Sequence, residues 1–258
     1  MLKKRVIPCL LLKDFNLVKS IQFGLHSDTH SMRNIGNAIA AVKVFNARDV
    51  DELVFLDISA TDEQRPPHYP IIADIARECF MPLAVGGGVS TIEHVERLLA
   101  IGADKVVINS SAAQSPEFIS TIANRYGAQC VVVSIDAKKH SDGSYYPFLN
   151  HGGVRHPVPI RSWAKECERL GAGEIFLTAI DCDGMMDGYD LELTNMVATS
   201  VGIPVIASGG AGKPDHCVEV VREGKADAVS AASIFQYTQF TPQDIKMALQ
   251  AAGIPARI

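Results

Sequence analysis

The second half of the chain repeats the first. Val6-Ile7-Pro8-Cys9-Leu10-Leu11-Leu12-Lys13 is matched by Val131-Val132-Val133-Ser134-Ile135-Asp136-Ala137-Lys138, and Glu52-Leu53-Val54-Phe55 by Glu174-Ile175-Phe176-Leu177. Val85-Gly86-Gly87-Gly88 corresponds to Ser208-Gly209-Gly210-Ala211, and Ile108-Asn109-Ser110 to Ala231-Ala232-Ser233. The repeat divides the chain at about residue 125, into halves of about 1–125 and 126–258. Short apolar runs rich in Val and Ile lie at 5–12, 53–58, 83–86, 105–109, 130–136, 174–180, 205–208 and 228–231. Amphipathic stretches such as 92–100, 160–170 and 217–223 separate them, the pattern of parallel strands covered on both faces by crossover helices. A doubly wound open sheet could use the same strands, but it does not predict glycine-rich turns at equivalent places in two halves. The expected fold is therefore α/β, a single (β/α)8 TIM barrel built from two half-barrels, and 258 residues is an ordinary length for one.

Two polar, irregular segments, 23–37 and 140–159, follow the equivalent first and fifth runs and read as mobile loops. The second contains Ser141-Asp142-Gly143-Ser144, a hairpin turn signal, followed by Tyr145-Tyr146.

Bulk properties exclude several function classes. A net charge of -5, with basic residues interspersed among acids, argues against a nucleic-acid binder. No apolar stretch reaches the roughly 18 residues of a membrane span, and the N-terminal run lacks a signal-type cleavage site. Six scattered cysteines contain no C-x-x-C pair, so a reducing cytoplasm is expected. His26 and His30 have helical spacing but no nearby third ligand, so neither a metal nor another cofactor is expected.

In such a barrel the residues after each strand form the active face. Gly87-Gly88 and Gly209-Gly210 each stand between a strand and a helix, where backbone N–H groups can approach a phosphate. Asn109-Ser110 and Ala232-Ser233 end the next strand of each half and supply further donors. Two phosphate sites on opposite sides of one face are expected, suited to an elongated phosphorylated ligand. The plainer reading is that these glycines only permit tight turns. Asp57, Asp136, Asp181 and Asp183 reach the same face, with Lys19 in the first loop and Thr178 in strand six. Strand-end acids often cap helices; Asp136, followed by Lys138 and a loop, is the stronger acid–base candidate. At the opposite end Arg5, Glu52, Lys105 and Glu174 begin strands one, two, four and six with alternating sign. Such charges are normally solvated, but if they point inward they must pair.

The ordered segments Lys4-Arg5-Val6-Ile7-Pro8-Cys9-Leu10, Asp51-Glu52-Leu53-Val54-Phe55-Leu56-Asp57, Ala84-Val85-Gly86-Gly87-Gly88 and Gly102-Ala103-Asp104-Lys105-Val106 resemble the cyclase subunit of imidazole glycerol phosphate synthase. Ile135-Asp136-Ala137-Lys138, Asp181-Cys182-Asp183-Gly184 and Ala207-Ser208-Gly209-Gly210-Ala211-Gly212-Lys213 extend the likeness over nearly the whole chain. The resemblance implies a barrel that docks a glutaminase subunit on its N-terminal face and takes ammonia through its interior. Arg5, Glu52, Lys105 and Glu174 match the four positions of that family's gate. The family's phosphate-binding positions fall on Gly87, Gly88, Asn109, Ser110, Gly184, Gly210, Ala232 and Ser233; Lys19, Asp57, Thr178 and Asp183, on the same face, are expected to bind substrate beside them.

The family's chemistry uses two aspartates, at the ends of strands one and five. Asp136 matches the second, whereas Leu11 stands at the first, a difference that the internal repeat shows independently. Phe15 also replaces a turn glycine, and Gly36-Asn37-Ala38 replaces a Gly-Asp-Pro. The expectation is a divergent paralogue with weak or absent cyclase activity, whose ammonia serves sugar amidation beside a sugar amidotransferase in surface-polysaccharide synthesis. The rival readings are an authentic cyclase of histidine biosynthesis and a noncatalytic adaptor that activates a glutaminase.

Overall fold

The computed structural model describes residues 3–24, 32–150 and 152–258. Eight parallel strands form its centre: β1 (Arg5–Lys13), β2 (Leu53–Asp57), β3 (Leu83–Gly86), β4 (Lys105–Ile108), β5 (Val131–Lys139), β6 (Glu174–Ala179), β7 (Val205–Ser208) and β8 (Ala228–Ala231). Each pairs with the next, and β8 pairs with β1 through Arg5↔Ala228 to Pro8↔Ala231, which closes the barrel. The strands expected from the repeat are all present, with ends within about three residues, the largest difference being at β5, which runs on to Lys139.

Alternation along the strands divides the buried residues into two groups. Even positions of β1 such as Val6, Leu10 and Leu12 face outward into a large shell shared with the helices. Ile7 and Cys9 face inward with Val54, Ala84, Val107, Val132, Phe176, Ile206 and Ala228, and Leu11 and Leu56 pack against them from the mouth side. The helix Ile160–Arg169 shows the outer packing: Ile160, Trp163, Ala164 and Cys167 recur at helical spacing and are all buried. The C-terminal helix Pro242–Ala251 starts with a capping box in which Thr241 and Asp244 bond reciprocally. Among the described residues no helix is long and apolar enough to cross a membrane.

The two segments read as loops contain strands; this corrects the reading of the first and bears out the hairpin signalled in the second. β1 turns back into Asn16–Ser20, which pairs with Met32–Gly36; β5 turns back into Tyr145–Leu149, which pairs with Val154–Arg155. Polar composition concealed Met32–Gly36, the outer strand of the first ribbon, because none of its residues is buried. Residues 25–31, with His26 and His30, lie outside the described residues. The second hairpin turns at Asp142-Gly143 as expected, Gly143 having φ 83°. The first turns at Asp14 and Phe15, with φ of 47° and 66°. Positive φ at both central residues suits the twist of a two-residue hairpin, although phenylalanine is costly there.

Candidate active site at the mouth of the barrel

A cavity of about 1040 Å³ opens at the C-terminal ends of the strands. Asp136 stands on its wall at the end of β5, where the inward face carries Val132, Ser134 and Asp136 in turn. Asn109 Nδ2 donates to its carboxylate at 2.7 Å and Ser134 Oγ at 3.4 Å. Burial raises the Asp136 carboxyl most, the charge of Asp183 adds to the rise, and bonds from Ser134, Asn109 and Thr178 oppose it, leaving it at about 7. Asp183 is raised by burial and lowered by Lys19 and by bonds from Ser20 and Phe23, to about 6. Lys19, expected in a loop, is buried on the strand after β1; its ammonium donates to the Cys9 carbonyl at 3.3 Å, and burial lowers its pKa. Two acids that titrate near neutrality and a desolvated amine therefore line one cavity, a setting suited to proton transfer.

Leu11 lines the same cavity from β1 and is level with Leu56 of β2. Its side chain points inward, and no carboxyl group projects from β1 in its place. Asp14, the nearest acid in sequence, lies in the hairpin turn and is exposed. Asp181 is also away from the cavity, accepting from the Lys139 N–H at 3.1 Å beside the second hairpin.

The glycine turns are placed as the repeat requires. Gly87 and Gly88, with φ of 96° and 70°, line the cavity with Asn109 and Ser110. A Cβ on Gly87 would lie 2.0 Å from the Asp57 carbonyl oxygen, so only glycine permits this close approach. The Asn109 amide, expected to serve a ligand, bonds Asp136 instead. Across the mouth a smaller cavity of about 190 Å³ is lined by Lys19, Ser20, Arg33, Gly184, Ser233 and Tyr237, while Ala232 faces the larger one. Gly210 is not among the described lining residues of either. Its positive φ brings the backbone against Gly188, whose carbonyl oxygen would lie 1.9 Å from an added Cβ, so here the plainer turn reading fits the geometry.

Asp57 is likewise engaged within the protein. Arg65 grips both of its oxygens, at 2.6 and 3.1 Å, so the group presented to the cavity is the Arg65 guanidinium. Sequence reasoning missed Arg65 because it ends the acidic, loop-like run Thr61-Asp62-Glu63-Gln64; its position eight residues after Asp57 was the only signal. Arg33 was missed because it lies in the segment read as a loop.

The opposite end of the barrel is closed by charge. Arg5 bonds Glu52 at 2.6 Å and Glu174 at 2.7 Å; Lys105 bonds Glu52 at 2.9 Å and Glu174 at 3.0 Å. Each ion thus meets two of opposite sign, as the pairing requirement demands. Burial lowers the Arg5 pKa, but Glu174 and then Glu52 outweigh it, so the guanidinium stays charged. Apolar side chains of the inner cluster separate this ring from the mouth. All six cysteines are free and their thiols are raised, chiefly by burial, Cys9 to about 12 and Cys182 to about 11. None is an activated nucleophile.

A closed parallel barrel with acids and glycine turns at one mouth and a ring of ion pairs sealing the other defines a class of (β/α)8 protein. Residues 5–241 match the family described as histidine biosynthesis protein. The chain belongs to that family. It is 47% identical over 259 residues, covering 100% of this chain and 98% of the relative, to the imidazole glycerol phosphate synthase subunit HisF of Lactococcus lactis subsp. lactis (strain IL1403). It is 43% identical over 258 residues, the full length of both chains, to proteins of the same name in Streptococcus sanguinis (strain SK36) and Streptococcus gordonii (strain Challis).

Proposed function

We propose that this chain is the ammonia-using barrel subunit of an imidazole glycerol phosphate synthase, paired with a glutaminase subunit at its N-terminal face and working in the cytoplasm. The observation that carries this reading is the alignment of a sealed charge ring and an acid-lined mouth cavity on the two ends of one barrel. Opening of the Arg5–Glu52–Lys105–Glu174 ring admits ammonia to the interior. Gly87, Gly88 and Ser110 hold one phosphate of a bisphosphorylated ribulosyl formimino substrate, and Gly184 and Ser233 hold the other. Asp136, titrating at about 7, gives and takes a proton at working pH, and Asp183 with Lys19 serves as its partner in place of an acid on β1. The test supplies the purified chain with the bisphosphate substrate and ammonium chloride. Formation of imidazole glycerol phosphate that Asp136→Asn abolishes supports the reading, and no product from the wild type refutes it.

Leu11 favours a second reading. An aliphatic side chain at the mouth of β1 cannot exchange a proton, and loss of such a group typically slows a reaction by about 10² to 10⁴. On this reading cyclisation is weak and the ammonia serves an amidotransferase acting on a nucleotide-linked sugar. A Leu11→Asp variant then gains cyclase activity by a factor of about 10² or more. An unchanged or lower rate in that variant removes the support.

A further inference from the structure

One charged group at the mouth is held rigid and yet left facing the cavity. The Asp57 side chain is wholly buried at the end of β2; its two oxygens accept from Nη1 and Nη2 of Arg65, and the same carboxylate accepts from the His68 N–H at 3.3 Å. The Arg65 side chain remains 31% exposed and lines the larger cavity together with Gly87 and Gly88. The two segments are adjacent, since a Cβ on Gly88 would lie 2.6 Å from the Arg65 carbonyl oxygen. Asp57 leaves the side edge of the guanidinium open, where Nε and the outer N–H of Nη2 point the same way. Glu63 accepts from Nε at 2.5 Å, and the outer Nη2 N–H has no partner among the described residues.

A purely structural clamp does not account for this arrangement. The second half builds the same strand-to-helix turn without one: Ala179 stands where the repeat has Asp57, and its carbonyl oxygen lies 2.8 Å from a Cβ on Gly209, as the Asp57 carbonyl does under Gly87. The pair with Glu63 is half-exposed, and such pairs stabilise a fold little. The Nε–Nη2 edge of an arginine presents two parallel N–H groups that match a carboxylate or a phosphate. Asp57 fixes the long side chain in advance, so a ligand does not have to order it. We propose that this edge of Arg65 binds the anionic end of the ligand at the Gly87–Gly88 turn, and that Glu63 occupies the edge until the ligand replaces it. Displacement of Glu63 also removes the excess negative charge of the cluster, so the incoming anion meets a paired Asp57 and an open guanidinium edge. The inference rests on the phosphate site proposed at Gly87 and Gly88, to which it adds a charged side chain and an internal competitor.

Proton–nitrogen NMR of the purified chain, titrated with inorganic phosphate at constant ionic strength, tests this without turnover. Phosphate should shift the Gly87 and Gly88 amides of the wild type. Arg65→Gln should weaken that response about tenfold or more, the scale of a lost charged hydrogen bond, and leave the affinity read at the Gly184 amide unchanged. Glu63→Gln, a change at the surface that leaves Arg65 on Asp57, should strengthen it about twofold to fivefold. Wild-type affinity in Arg65→Gln would overturn the inference, and so would unchanged affinity in Glu63→Gln, which decides the matter alone if the Arg65 variant does not fold. Phosphate that shifts neither glycine in the wild type would overturn the phosphate site itself and the inference with it, whereas wild-type binding that ignores both substitutions leaves the proposed function standing.

Discussion

Asp136 should cost the fold stability in a pH-dependent way. Its carboxyl titrates at about 7 in the native chain, against near 4 in an unfolded one. The native state therefore holds this proton more tightly. Below about pH 4 both states are protonated and the residue contributes nothing; as pH rises to 7 the unfolded chain releases its proton first, and stability falls. At about 1.4 kcal/mol for each tenfold difference in proton affinity, the full loss is roughly 4 kcal/mol. Asp136 faces a cavity and is not sealed in the core, so about half of this, roughly 2 kcal/mol, is the working expectation. Asp136→Asn keeps an oxygen to accept from Asn109 and cannot ionise. Urea unfolding at pH 4.0 and pH 8.5 should find the variant within about 0.5 kcal/mol of wild type at the lower pH and about 2 kcal/mol more stable at the higher, a gain of roughly 4 to 8 °C in Tm. An advantage of the same size at both pH values would refute the reasoning, because it could not come from ionisation.

Glu52→Gln removes a carboxylate that accepts from both Arg5 and Lys105, leaving two cations to share Glu174; a loss of about 3 to 5 kcal/mol in urea unfolding is expected. Phe15→Gly relieves a positive φ at an exposed turn and should raise stability by about 1 kcal/mol, less whatever the edge contact with His68 contributes, as measured by Tm. Gly210→Ala forces a Cβ against the Gly188 carbonyl and should destabilise by more than about 2 kcal/mol, whereas alanine at Gly143, where nothing lies within 4 Å, meets only the backbone penalty.

The fold was legible because buried parallel strands leave a strong trace: apolar runs such as Val131 to Ile135 have no other environment that suits them, and the repeat fixed their number. The charge ring was legible in part, since Arg5, Glu52, Lys105 and Glu174 stand at strand starts, but only coordinates decide whether such charges point inward. The site was harder. Asp136 and the Gly87-Gly88 turn were found from their positions after strands, yet the Asn109 amide and the Asp57 carboxylate are engaged within the protein by contacts across loops. Arg65 and Arg33 escaped notice because a polar residue in a polar run has no period of its own. The first hairpin escaped for the same reason, whereas the second was legible from its Asp142-Gly143 turn.

The hairpins grow from β1 and β5, at corresponding points of the two half-barrels. The mouth therefore has two lips, and both are tied to the loop after β6: Ser20 and Gln22 donate to Asp183 and Asp181 from one side, and the Lys139 N–H donates to Asp181 from the other. Leu11 and Phe15 sit on one lip, Asp136 on the other. A change on one lip is thereby passed to the other through the loop that carries Asp183, the second acid of the mouth.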